Sequence, residues 1–97
     1  VLQGKDLEWK GYSVKPPYLK LAWNPSTAPQ GIRYYNIYRS EKPDLQTEQA
    51  NLVGSATEPL FIDCSLEPEK EYFYKVQAVD SWDNRSTGSG TIKVLIK

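Results

Sequence analysis

Histidine and methionine are absent from this 97-residue sequence, and cysteine occurs once, as Cys64. Without histidine the chain lacks the commonest general base and the commonest zinc ligand, so histidine-dependent catalysis is excluded within it. A single thiol makes neither an internal disulfide nor a multi-cysteine metal site. Cys64 is also a poor nucleophile, because no histidine or cationic helix end is there to activate it; it reads as a small, buried or half-buried apolar side chain. Charge of either sign is in no excess, since twelve basic residues balance twelve acidic ones. No field therefore gathers nucleic acid or an anionic membrane, and neither is expected as a partner. No apolar run approaches the roughly eighteen residues a membrane helix needs, so membrane insertion is not expected, and no charged-then-apolar leader opens the chain. A start at Val1 with no methionine anywhere reads as an excised piece of something longer.

What the sequence does hold is aromatic rings and turn formers. Aromatics make up 12% of the residues, and glycines and prolines recur between short apolar runs, the composition of an all-β sandwich. Residues 1–6 carry no pattern and read as a lead-in or linker remnant. Residues 7–97 make one domain, long enough to bury roughly 60–70% of the surface its unfolded chain exposes.

Alternation at period two marks the strands. Residues 7–14 set Leu7 and Trp9 against Glu8 and Lys10, with a bulge expected at Gly11 and a stop at Pro16-Pro17. Trp9 reads as a core or rim residue. Residues 18–23 set Leu19, Leu21 and Trp23 against Tyr18, Lys20 and Ala22, and a loop dense in turn formers follows at 24–31. Residues 32–40 carry Tyr35 and Ile37 inward, which leaves Tyr34 and Tyr38 as amphipathic rings on an outer face, either a surface for a neighbouring module or isolated exposed tyrosines of the ordinary kind. The polar stretch 41–49 is a connection. Shorter strands follow at 51–56 and 60–63, the latter with Phe61 and Asp63 on one side.

The longest alternating run places Tyr72, Tyr74, Val76 and Ala78 on one face, behind the turn Leu66-Glu67-Pro68-Glu69-Lys70-Glu71. Ile92, Val94 and Ile96 alternate in the closing strand at 91–97. Phe73, Val79 and Leu95 then point outward, where a tandem domain would cover them. Glu67, Glu69 and Glu71 read as solvated charges beside Lys70, unlike the carboxylate pair of a glycosidase, which sits in a cleft with one acid raised by burial.

Leu66-x-Pro68-x-x-x-Tyr72 resembles the tyrosine corner of fibronectin type III domains. Trp23, Tyr35-x-Ile37 and Tyr72-x-x-x-Val76-x-Ala78 resemble that family's core pattern in order and approximate spacing, over nearly the whole chain. The resemblance implies an immunoglobulin-like sandwich of seven antiparallel strands, A-B-E against C′-C-F-G, with Trp23, Leu21, Tyr35, Ile37, Leu66, Tyr72 and Val76 in the core. It also implies that the Tyr72 hydroxyl bonds to backbone a few residues upstream. The chain departs from the family in its lead-in, which lacks prolines. Ser81-Trp82 is only a fragment of the receptor-type Trp-Ser-x-Trp-Ser motif, and the loop 80–90 has no Arg-Gly-Asp.

That loop between strands F and G is the richest candidate site. Trp82 with Asp80, Asp83, Asn84 and Arg85 has the makings of a sugar platform, a ring for stacking beside groups that grip hydroxyls. Resembling bacterial domains read Ala-Val-Asp-x-x-Gly-Asn-x-Ser at this place, and Asp80, Asn84 and Ser86 fit that pattern as turn-making side chains. In this second reading Trp82 packs against the loop or an adjacent domain. The spacing of Asp80, Asp83 and Asn84 matches no calcium loop, and Asn84-Arg85-Ser86 satisfies the glycosylation sequon. No cofactor, metal or catalytic residue is expected.

Residues 35–40 and 78–86 resemble accessory domains appended to secreted bacterial carbohydrate-active enzymes. The resemblance implies a non-catalytic spacer and interaction module of a larger extracellular protein, a bacterial glycoside hydrolase, whose partners are neighbouring domains and which is monomeric in isolation. The alternative is a module that binds glycan or protein directly through Trp82 and its loop, with Tyr34 and Tyr38.

Overall fold

The structure is a computed structural model that describes residues 8–15, 18–24, 31–44, 46–64, 66–86 and 89–96. Its strands are β1 (Trp9–Lys15), β2 (Tyr18–Trp23), β3 (Ile32–Ser40), β4 (Leu52–Ala56), β5 (Leu60–Asp63), β6 (Glu71–Asp80) and β7 (Ile92–Leu95), with a 3-10 turn at Gln49–Asn51. They form two antiparallel sheets, one of three strands in the order β1-β2-β5 and one of four in the order β4-β3-β6-β7. These are the seven strands read from the alternating runs, divided A-B-E against C′-C-F-G as the resemblance implies. The lead-in at 1–6, Leu7, the Pro16-Pro17 stop, loop residues 25–30 and Lys97 lie outside the described residues.

Burial follows the alternation. Leu19, Leu21 and Trp23 of β2 are fully enclosed between the sheets and face Tyr35 and Ile37 of β3 and Tyr72, Tyr74, Val76 and Ala78 of β6. Val94 and Ile96 close one end, and Leu66 is half-buried against the same cluster. Two glycines are needed where they stand. Gly11, at φ 145°, lies where the β1–β2 register shifts between Trp9 and Gly11, a backbone state that side chains rarely adopt. Beyond that bulge the Trp9 ring meets Trp23 edge-on at 5.7 Å and its Nε1 donates to the Gly90 carbonyl at 2.8 Å. Trp9 is thus a rim residue tying β1 to the segment before β7. At Gly54 a Cβ would come within 2.6 Å of the Phe61 ring, so glycine lets a ring of one sheet rest on the backbone of the other.

The turn before β6 closes as a tyrosine corner. The Tyr72 hydroxyl accepts a hydrogen bond from the Glu67 backbone N–H at 2.9 Å, while Glu69 donates its N–H to the Ile96 carbonyl and Ile96 donates to the Lys70 carbonyl. The ring of Tyr72 is buried, so its removal from this bond leaves the Glu67 donor short of a partner. Tyr72→Phe is expected to cost about 1–3 kcal/mol, read as a lower urea midpoint at unchanged m-value; a shift below about 0.5 kcal/mol would mean that water replaces the hydroxyl freely. Glu67 itself is exposed, and the Lys70 ammonium beside it at 2.7 Å holds its carboxyl below the usual range.

Three expectations of burial change. Cys64 is exposed, because it follows the inward-facing Asp63 and alternation turns it out. Val79 and Tyr38 do lie on the outer side of the four-stranded sheet, yet they are 0% and 2% exposed. Side chains and loop of this chain cover them, so no tandem domain is needed to do so.

Candidate functional site

The outer side of the four-stranded sheet carries the polar residues of β3. Because Tyr35 and Ile37 point inward, Tyr34, Asn36 and Tyr38 point out. Across the sheet Asn36 is opposite Ser55 of β4 and Gln77 of β6, and Tyr34 is opposite Val79. Arg85 bridges to Val79 from the other side of β6. Tyr34, Asn36, Tyr38, Leu52, Ser55 and Arg85, with Gln49 from the 3-10 turn, line a shallow cleft of about 290 Å³.

Two hydrogen-bonded sets make the cleft floor. Tyr38 donates its hydroxyl proton to Gln77 Oε1 at 2.9 Å, Gln77 Nε2 donates to the Ser86 carbonyl at 3.0 Å, and Ser55 Oγ donates to Asn36 Oδ1 at 2.8 Å. The Arg33 guanidinium stands 5.7 Å from the centre of the half-buried Tyr34 ring and 3.7 Å from Asp83. Of the residues singled out in the sequence, the cleft therefore gathers Tyr34, Tyr38 and Arg85.

The remaining candidates sit in the loop after β6 and do different work. Asp80 is fully buried; its Oδ1 accepts from the N–H groups of Trp82 and Asn84, and its Oδ2 from Asn84 Nδ2. A carboxylate engaged in this way shapes the turn rather than facing a ligand. Asp83 is exposed at φ 67°, at the place where resembling domains have glycine, and aspartate tolerates that left-handed state better than most residues. Trp82 is 75% exposed at the loop tip and is absent from the cleft lining.

Two serines hold this loop to the sheet: Ser86, which the sequence marks as a turn-making side chain, and Ser89, which sequence reasoning missed. Ser86 Oγ accepts from the Ala78 N–H and Ser89 Oγ accepts from the Val76 N–H, at 2.9 and 3.0 Å. Their own N–H groups return to the Ala78 and Val76 carbonyls. Hydroxyls thus take the place of backbone rungs along β6 until β7 begins. For Ser89 the only signal was its spacing of three residues from Ser86 in a serine-rich loop, which many solvated loops share.

A second cluster missed in the sequence lies between the sheets. Asp63 of β5, 5% exposed, accepts from Arg39 of β3 at 2.7 Å and from the Tyr74 hydroxyl of β6 at 2.8 Å. Burial pushes Tyr74 up from its ordinary value, and bonding to Asp63 adds to this. Burial alone would lower Arg39, but the Asp63 carboxylate outweighs it and raises the guanidinium. Joining a carboxylate of one sheet to a guanidinium and a hydroxyl of the other, the cluster is a polar bolt between sheets. Among the described residues no group of three or more acidic or cysteine side chains could hold a metal ion, and no helix is long and apolar enough to cross a membrane.

The two-sheet sandwich superposes on solved structures. A domain of a β-1,2-glucanase from Parabacteroides distasonis superposes with TM-score 0.75 at 25% identity over 95% of this chain. An Fn3-like protein from Clostridium thermocellum does so with TM-score 0.71 at 20% identity, covering 94% of this chain and 88% of its own. This chain has the fibronectin type III fold. A pectate lyase from Pectobacterium carotovorum contains the same fibronectin type III fold, at TM-score 0.71 and 20% identity over 93% of the present chain. The chain spans 12% of the glucanase and 27% of the pectate lyase. No protein-family model matches the sequence, and comparison with curated proteins gives no match.

Proposed function

We propose that this fibronectin type III domain is a non-catalytic accessory module of a larger extracellular protein that acts on carbohydrate. The observation that carries the reading is the likeness, at 25% identity, to a segment occupying 12% of a glucanase. A module of this kind spaces and packs its neighbours through its surface. The partners are the adjoining domains of the same polypeptide, and the isolated module is monomeric.

The loop tip suits contact with such a neighbour, since Trp82 projects from a turn whose shape Asp80 maintains from beneath. Trp82→Ala is expected to change stability by no more than about 0.5 kcal/mol, as for surface substitutions away from structural features, with an unchanged amide spectrum outside the loop. Incubating the domain with β-1,2-glucan or polygalacturonate is expected to leave chain length unaltered. Shortening of either polymer, or unfolding of the Trp82 variant, would overturn the proposal.

Direct glycan binding is a second reading, favoured by the cleft beside Tyr34 and Arg85 rather than by the ring of Trp82.

A further inference from the structure

We infer that the cleft on the outer side of the four-stranded sheet is a binding site for a uronate unit, a sugar ring bearing a carboxylate; the inference rests on the glycan-binding reading of this module.

Hydrogen-bonding capacity is left over in the cleft. Asn36 has its Oδ1 engaged by Ser55, which leaves the two N–H donors of its amide, and among the described residues no acceptor takes them. The Tyr34 hydroxyl likewise has no partner among the described residues. Arg85 stands within salt-bridge distance of no described carboxylate, although Arg33, Arg39, Lys70 and Lys93 all have one. The lining holds a guanidinium and no acidic side chain. Lys75 adds positive charge on the same side of the sheet, opposite Tyr38.

Donors in excess, with a cation and no anion, select an acceptor-rich anionic ligand. A guanidinium meets a carboxylate with two parallel N–H bonds, which gives geometry as well as attraction. The neutral groups Ser55, Gln49 and Tyr34 then offer hydroxyl and amide partners of the kind that ring hydroxyls need. Size points the same way. A cleft of about 290 Å³ is at the lower limit of ligand pockets, about 300–1,000 Å³, and has room for about one ring. Its floor is held rigid by the Tyr38–Gln77–Ser86 chain of hydrogen bonds, so little ordering is needed on binding.

The test is an amide-shift titration of the domain with galacturonate oligomers, with neutral gluco-oligosaccharides of the same length, and with acetate. The expected result is a saturable response of Asn36, Ser55 and Arg85 to the uronates, with neutral sugars and acetate at least about tenfold weaker. Arg85→Ala should weaken uronate binding about ten- to a hundredfold, the range carried by a hydrogen bond to a charged group, and Arg85→Lys should restore part of it. An unchanged spectrum elsewhere shows that the variant is folded. An equal response to acetate would overturn the sugar assignment, and an equal response to neutral sugars would overturn the role of Arg85. No response at all would overturn the site while leaving the accessory-module reading intact, because that reading fails only if the domain itself cleaves glycan or Trp82 proves structural.

Discussion

Trp23→Ala is expected to destabilise the domain by about 3–5 kcal/mol, the largest single effect in the molecule. Trp23 is 0% exposed and stands at the end of β2, where its ring meets Trp9 edge-on at 5.7 Å and Tyr35 of the opposite sheet at 5.4 Å. Truncation forfeits the transfer energy of a large ring and two aromatic contacts worth about 0.5–1.5 kcal/mol each beyond their area. It also leaves a void that two hydrogen-bonded sheets can collapse into only partly. Native domains have only about 5–15 kcal/mol in hand, so the variant is expected to lose a large part of its stability. Trp23→Phe should cost less, for two reasons: most of the ring stays, and the buried Nε1 donor, which has no partner among the described residues, is removed. Urea unfolding followed by circular dichroism checks both. A cost for the alanine variant below about 2 kcal/mol would show that the sheets close over the gap.

The second large effect is expected at Asp63. Asp63→Ala removes the acceptor that Arg39 and Tyr74 share and leaves a cation and a hydroxyl facing a desolvated space. Breaking a buried ion pair from one side costs about 3–5 kcal/mol. Arg39 keeps 24% of its side chain exposed, so water relieves part of the penalty and about 2–4 kcal/mol is expected. The pair is not itself a large source of stability, since both charges leave water to form it. The double variant Asp63→Leu with Arg39→Leu should therefore recover most of the loss. If the double variant were as unstable as the single one, the cost would lie in packing rather than in an orphaned charge. Asp63→Asn, which keeps an acceptor for Tyr74 but drops the charge, should fall between them.

The cleft and the loop tip belong to the surface, whereas Trp23 and Asp63 belong to the frame that positions it. Asp63 and Trp23 join the sheets at different places, Asp63 through β3 and β6 and Trp23 through Tyr35 of β3. The cleft rests on β3, whose inner residues make both connections. Loss of either join is thus expected to loosen the cleft floor as well, which is why the Arg85 variants, and not core variants, are the informative test of binding.

Much of the frame was legible in the order of residues. The runs at 18–23, 32–40 and 60–63 became strands with those bounds, because each side of a strand in a sandwich meets a different solvent and period-two alternation records this directly. The Leu66, Pro68 and Tyr72 spacing likewise announced a local turn whose hydrogen bond closes over five residues. Alternation, however, says only which way a side chain points. Tyr38 and Val79 point outward and are buried all the same, since the cover comes from neighbouring side chains and a loop joined to β6 by Ser86 and Ser89. Asp63 reads as a polar residue ending a short strand until Arg39 and Tyr74, 24 and 11 positions away, arrive from the other sheet. The same holds for the cleft, where Tyr34, Ser55 and Arg85 meet only once β3, β4 and the loop are side by side. The sequence by itself determined the strands, their facing and the corner, all of which depend on near neighbours. Tertiary structure alone decided which outward groups are covered, which charges are paired and which donors remain to be met by a ligand, because each depends on segments that folding brings together from distant parts of the chain.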